Sequence, residues 1–287
     1  MPAFDRESWP VDDRDAFRAS VRKWITANWS VSITLREWWH RLADAGLTVP
    51  TWATPLGGIG ATTTIQGIIE DELARVAAIA PPLSGVGVHL VGSTLRHHGT
   101  QAQRDRWLGS IVDGTSNWCL LLEEPEARDD VGGTVSTAAR TVGTDGARAT
   151  WSVDAVKLST DADLADRGLV FVRTEEGSTG REGLSCFVVD VTQPTVSVQR
   201  LSSGVSVVVF QGATVSADER IGEPGDGWPV AQTVLAHRQT SLAGRIRRGL
   251  VDVPAGERAG NLDRTTGDVL TRTRPRPAPA QERRKRP

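Results

Sequence analysis

The sequence predicts an α+β protein in which a helical N-terminal part, a sheet domain and a returning helix follow one another along the chain. Three observations carry this. Apolar residues recur at three- and four-residue steps through about residue 115, at two-residue steps from Trp118 to about Val215, and again at helical steps after Asp226. The chain of 287 residues, 39% hydrophobic and 24% charged, is long enough for a large core or two smaller ones, which excludes fibrous and wholly disordered classes.

Asp12 or Asp13 is placed to cap a first helix whose Phe17, Val21, Trp24, Ile25 and Trp29 share a stripe. Thr34 and Glu37 have capping-box spacing ahead of Leu35, Trp38, Trp39 and Leu42, and Gly46 follows where a left-handed cap belongs. A third helix runs from about Thr64 to Val76 and is stopped by Pro81 and Pro82. Another ends at Gly99, and Thr100 with Gln103 opens a further one carrying Trp107, Leu108 and Ile111. The strands expected are 118–122, 135–142, 147–153, 156–160, 169–174, 184–190, 196–201 and 205–210. Their close spacing indicates an antiparallel barrel or sandwich. Trp228, Val230, Val234, Leu235, Leu242 and Ile246 then form an apolar stripe on a last helix that must be covered by something. The domains expected are 1–116 (helical), 117–222 (β), 223–253 (one helix of a third domain) and 254–287, a tail too poor in large apolar side chains to order itself.

No run of 18 to 20 apolar residues spans a bilayer and the N-terminus has no apolar leader, so a cytoplasmic protein without membrane contact is expected. Cys119 and Cys186 lack metal or redox spacing and are read as buried thiols; no metal site is expected. The net charge of -2 conceals +7 over residues 245–287 against -9 over the rest. Thirty of the thirty-three basic residues are Arg, and the basic excess sits in a Pro- and Arg-rich tail, so no nucleic-acid partner is expected. Gly57, Gly58 and Gly60 lack the Lys-Ser/Thr of a phosphate loop and read as a turn. The ten Trp read as core anchors, and His89, His97, His98 and His237 as helix-surface or helix-end residues.

Six segments add a more specific reading. The runs LADAGLTVPTWATPLGGIGATT, IIEDELAR, LRHHGTQAQRDRWLGSIVDGTSNWC, EEP, GLVFVRT and IGEPGDGWPVAQTVLAH occur in an order that resembles the acyl-CoA dehydrogenase family, particularly its actinobacterial members, over roughly residues 10–250. The resemblance implies an N-terminal helical domain, a middle β-domain and a C-terminal four-helix domain of which this chain carries the first helix, being truncated at its C-terminus. It implies FAD as cofactor, an acyl-CoA as substrate, and a homo- or hetero-oligomer with a related dehydrogenase subunit. The implied reaction removes an α-proton with a carboxylate base and passes a β-hydride to the flavin.

The family's cofactor positions fall here on Leu122, Glu123, Asp129, Ser159 and Thr160, and most are substituted. Glu124 and Pro125 match the first flavin segment, but Leu120 stands at its aromatic position, Glu123 at its hydroxyl position, and Arg128 with Asp129 at its Gly-Ser. Lys157 matches the second segment, whereas Ser159 replaces the Trp that packs on the flavin and Asp161 the hydroxyl residue, with Thr160 between. Val207 and Val208 replace a polar pair. Where the family reads Glu-Arg in the last helix, His237 is followed by Arg238 and Gln239, so no catalytic residue is assigned. Three functions follow as expectations: an acyl-CoA dehydrogenase of lipid catabolism, inactive alone; a non-catalytic partner subunit of a related dehydrogenase; or a degraded gene product.

Overall fold

A computed structural model describes residues 5–81, 85–127, 130–141 and 149–247, the last nine as backbone only. The expected tail, 254–287, lies outside the described residues.

The N-terminal helices are α1 (Arg14–Asn28), α2 (Leu35–Asp44), α3 (Thr63–Arg75), α4 (Ser93–His98) and α5 (Gln101–Val112). Asp13 caps α1 by accepting from the backbone N–H of Asp15 and Ala16, and the Thr100/Gln103 capping box is complete at α5. At α2 only half of the expected box forms: Thr34 accepts from Glu37 N, while the Glu37 carboxylate takes Arg41 instead. A π-helical stretch, Gly87–Gly92, leads directly into α4. Gly46 adopts the expected left-handed conformation, with φ of 71°.

Tryptophans anchor these helices. Trp38 and Trp39 donate to the carbonyls of Ile79 and Ala80, and Trp9 to that of Ala45. Phe17, Val21, Ile25, Trp38, Leu42, Ile65, Ile69 and Leu73 make a core inside the helical part. Under it, buried Glu72 of α3 is tied to Arg22 and Arg18 of α1 and to Arg75. Gly58 is packed so closely that a Cβ would stand 2.1 Å from the carbonyl oxygen of Trp52, so the glycine turn is structural.

The sheet holds β1 (Trp118–Leu121), β2 (Thr137–Thr141), β3 (Thr150–Ser159), β4 (Arg167–Arg173), β5 (Leu184–Asp190), β6 (Val196–Arg200), β7 (Ser206–Ser216) and β8 (Arg220–Ile221), in the order β6-β7-β3-β2-β4-β5-β8. Two strands expected at 147–153 and 156–160 are one, β3, bent by a register shift between Val153 and Asp154. Most pairings are antiparallel as the spacing suggests, but the sheet is mixed: β1 and β2 each run parallel to β4. β1 takes residues 167–170 of β4 and β2 meets it at Arg173, so two strands share one edge of a third. A pairing between strands so distant in sequence is not constrained by hairpin spacing.

β4 and β5 separate two cores. Val170, Val172, Phe187 and Val189 face Trp151, Val153, Val208 and Phe210 inside the folded sheet. Leu169, Phe171, Cys186 and Val188 face Trp107, Ile111, Leu122 and the start of the last helix, α6 (Gly227–Arg247). Val230, Ala231 and Val234 of α6 are fully buried there, and Trp228 and Leu235 pack against the same core. The apolar stripe of α6 is therefore covered by this chain as far as Leu235. Gly227 makes the approach possible, because a Cβ there would stand 2.5 Å from the backbone of Leu184. The described residues up to His237 belong to one compact unit.

Candidate functional site

The positions singled out from the sequence lie at the ends of β1 and β3, which an isolated bridge between Glu123 and Leu158 brings together; Leu158 N donates to Glu123 O at 2.9 Å. Beside this bridge is a buried ion pair. Lys157 Nζ donates to Glu124 Oε1 at 2.5 Å and to the carbonyl of Phe171 at 2.5 Å, and both side chains are shielded from water. Glu124 also accepts from the backbone N–H of Val135 (2.8 Å) and Ser136 (3.3 Å). Burial pushes Lys157 down to about 8 although Glu124 opposes the shift, and Glu124 lies below the usual carboxylate range because Lys157 and these N–H groups outweigh its desolvation. The pair thus joins the segment after β1 to β3, β4 and the approach to β2. Glu124 and Lys157, two of the positions the sequence likened to the family's flavin segments, are here bonded to each other inside the β-domain.

The remaining positions are placed as follows. Leu122 is buried in the core between helices and sheet. Ser159 is buried, its hydroxyl accepting from Asp161 N at 3.4 Å. Thr160 is exposed, and its hydroxyl donates to Asp161 Oδ2 at 3.0 Å. Asp129 lies outside the described residues. Leu120 is half-buried against the helix–sheet core, and Val208 is buried in the sheet core with Val207 at its rim. A flavin ring needs a flat apolar surface and available donors at its edge. These side chains do not fit one: position 159 offers a small buried hydroxyl and no flat ring, Thr160 is committed to Asp161, and carboxylates at 123 and 161 flank both.

The histidines are not scattered. His97 and His98 end α4, and His237 of α6 faces them, with ring centroids 5.8 Å from His97 to His237 and 6.4 Å from His97 to His98. Sequence spacing could not reveal this grouping, since α6 is more than a hundred residues downstream. Both thiols are buried and neither is in a disulfide; burial raises Cys119 to about 12 and Cys186 further. Among the described residues no group of three or more His, Cys, Asp or Glu is placed to hold a metal ion, and no helix is long and apolar enough to cross a membrane.

A helical part docked on a mixed sheet, followed by a helix that returns to the same core, is a shared architecture. It matches a steroid acyl-CoA dehydrogenase variant, Tcur3481-Tcur3483, with a TM-score of 0.63 at 24% identity over 82% of this chain and 65% of that one. It also matches the ChsE4-ChsE5 complex of Mycobacterium tuberculosis, with a TM-score of 0.59 at 21% identity over 85% and 68%. The family model for the acyl-CoA dehydrogenase N-terminal domain matches residues 12–115. In sequence, the chain is 33% identical over 248 residues to the acyl-CoA dehydrogenase IpdE1 of Mycobacterium tuberculosis, covering 78% of this chain and 63% of that protein. The IpdE1 of Mycolicibacterium smegmatis is 33% identical over 261 residues, covering 80% and 66%. The chain belongs to the acyl-CoA dehydrogenase family. It spans about two thirds of the length of these two relatives.

Proposed function

We propose that the protein acts in acyl-CoA dehydrogenation as a subunit that does not bind flavin by itself and works beside a related, flavin-bearing dehydrogenase subunit. The observation that carries this reading is the division at the strand ends. Glu124 and Lys157, which hold the β-domain together, retain the family's residues, while positions 123, 159 and 161 carry side chains that neither stack on a flavin nor donate to it. The family relationship supports a CoA thioester as the substrate class and FAD, held by the partner, as the assembly's cofactor. Kinship with proteins solved as two-component complexes supports a heteromeric arrangement. The domain boundaries expected from the sequence, 117–222 for the β-domain and 223–253 for the helix after it, belong to this proposal.

The test is purification of the chain alone and co-expressed with a related dehydrogenase, followed by absorbance near the flavin band and gel filtration. The expected result is colourless protein alone and a yellow, co-eluting complex with fewer than one flavin per chain. Stoichiometric flavin in the chain alone would overturn the reading. A dehydrogenase that functions on its own, carrying flavin in every chain, is the second reading that such a result would favour.

A further inference from the structure

We propose that Arg96, His97, His98 and His237 form a site for a phosphate-class oxyanion where the end of α4 meets α6. The inference is independent of whether the chain binds flavin. It rests on a cluster of one guanidinium and three protonatable imidazoles that, among the described residues, a single carboxylate opposes. The Arg96 guanidinium sits over the ring of Trp52, 4.6 Å from its centroid, and its Nε is buried with no hydrogen-bond partner. Desolvation alone is what perturbs it, pulling it below the ordinary arginine value, and among the described residues no carboxylate pairs with it. A partly buried cation is ordinarily matched by an anion.

The three imidazoles add to the same field. His97 Nδ1 lies 2.7 Å from the carbonyl of Ser93 and so carries the hydrogen, which leaves Nε2 to take the second proton. His98 Nε2 lies 2.8 Å from the Thr233 hydroxyl, whose own hydrogen goes to the carbonyl of Pro229, so Nε2–H is the donor and Nδ1 is the proton acceptor. Burial holds His98 and His237 below the usual histidine range, and His97 pushes both further; Arg96 adds to the effect at His237. Among the described residues, charged groups at the cluster include Arg96 on α4, Arg104 on α5, which donates to the Arg96 carbonyl, Arg238 next to His237 on α6, and Asp226 just before α6. Asp226 is the one carboxylate that opposes these shifts, and it acts on His98. Among the described residues this is one carboxylate against four cationisable side chains, and it is this imbalance that an external anion would relieve.

Several N–H donors carried on separate side chains suit a tetrahedral oxyanion better than a carboxylate, because phosphate presents oxygens in several directions and imidazolium and guanidinium both donate charge-assisted bonds to it. Protonation of the histidines and binding of the anion must favour each other by linkage.

The test uses the full chain. Histidine Cε1 resonances are followed from pH 5 to 8 in phosphate and in chloride at equal ionic strength, and pyrophosphate binding is measured by calorimetry at pH 6.0 and 7.5. The expected midpoint of His237 rises by about 0.3 to 0.5 pH unit in phosphate, and pyrophosphate binds roughly tenfold more tightly at pH 6.0. His97→Gln with His237→Gln should weaken binding at pH 6.0 by at least about tenfold, the loss of two charge-assisted donors. His97→Gln alone, at an exposed position, carries the test if the double variant melts early, and His40→Gln on α2 should bind as the parent does. ADP tested beside pyrophosphate identifies the source: tighter ADP binding assigns a nucleotide phosphate, and equal or weaker binding assigns the free oxyanion. Histidine midpoints that are the same in phosphate and chloride, or pyrophosphate binding indifferent to pH and to His97→Gln, would overturn the proposal.

Discussion

Replacing Lys157 by Met should destabilise the chain by about 3 kcal/mol at pH 7, and replacing Glu124 by Gln by a similar or larger amount, because removing one member of a buried ion pair typically costs about 3 to 5 kcal/mol. The structure sets where each falls in that range. Lys157→Met leaves Glu124 with its two backbone donors, at Val135 and Ser136, so the stranded carboxylate is partly compensated. Glu124→Gln leaves the ammonium with the carbonyl of Phe171 and a neutral amide oxygen, and a buried amine responds by releasing its proton. The double variant Glu124→Gln/Lys157→Met has no stranded charge. It should lose less than the sum of the single changes by about 2 kcal/mol, within the range found for coupled neighbours. Urea unfolding followed by tryptophan fluorescence reads all four proteins. Single changes costing under about 1 kcal/mol each, and adding without coupling, would refute the claim that this pair clasps the β-domain. The pH dependence supplies an independent check. Lys157 has a folded value near 8, below its ordinary 10.5, so between those limits the unfolded chain binds more protons and stability rises with pH. Lys157→Met should abolish that rise.

Three further outcomes follow from the packing. Glu72 is held down to about 2, chiefly by its hydrogen bonds from Arg22, with Arg75 and Arg18 adding to it. Its contribution is complete above pH 4.5 and lost as pH falls toward 2; Glu72→Gln should cost about 2 kcal/mol at pH 7 in urea unfolding and converge with the parent in acid. Gly58→Ala places a methyl 2.1 Å from the Trp52 carbonyl oxygen and should lower stability by more than about 3 kcal/mol, read as a fall in the thermal midpoint. Cys119 and Cys186, both buried and raised, should resist a thiol reagent at pH 8 in the folded protein and react together on adding denaturant; a fast-reacting thiol in native buffer contradicts their placement.

Local chemistry determined the elements of this protein. A capping side chain, a left-handed glycine and an apolar stripe at helical spacing act within a few residues, and Asp13, Thr100 with Gln103, and Gly46 behave as their neighbours require. The family's order of segments was equally legible, since it is written along the chain. What the sequence left open depended on distance. β1 joins β4 in parallel, and two expected strands fuse into β3, because partners far apart in sequence set those pairings. One sign of the Glu124–Lys157 clasp was present in the sequence: one of only three lysines, at an inward-facing strand position where a charge requires a partner. That the partner is Glu124 was decided by the fold. The same holds for His97, His98 and His237, which local reading assigned separately to helix surfaces. The packing of α6 on the helix–sheet core brings them together, and only then do their charges and that of Arg96 act as one field.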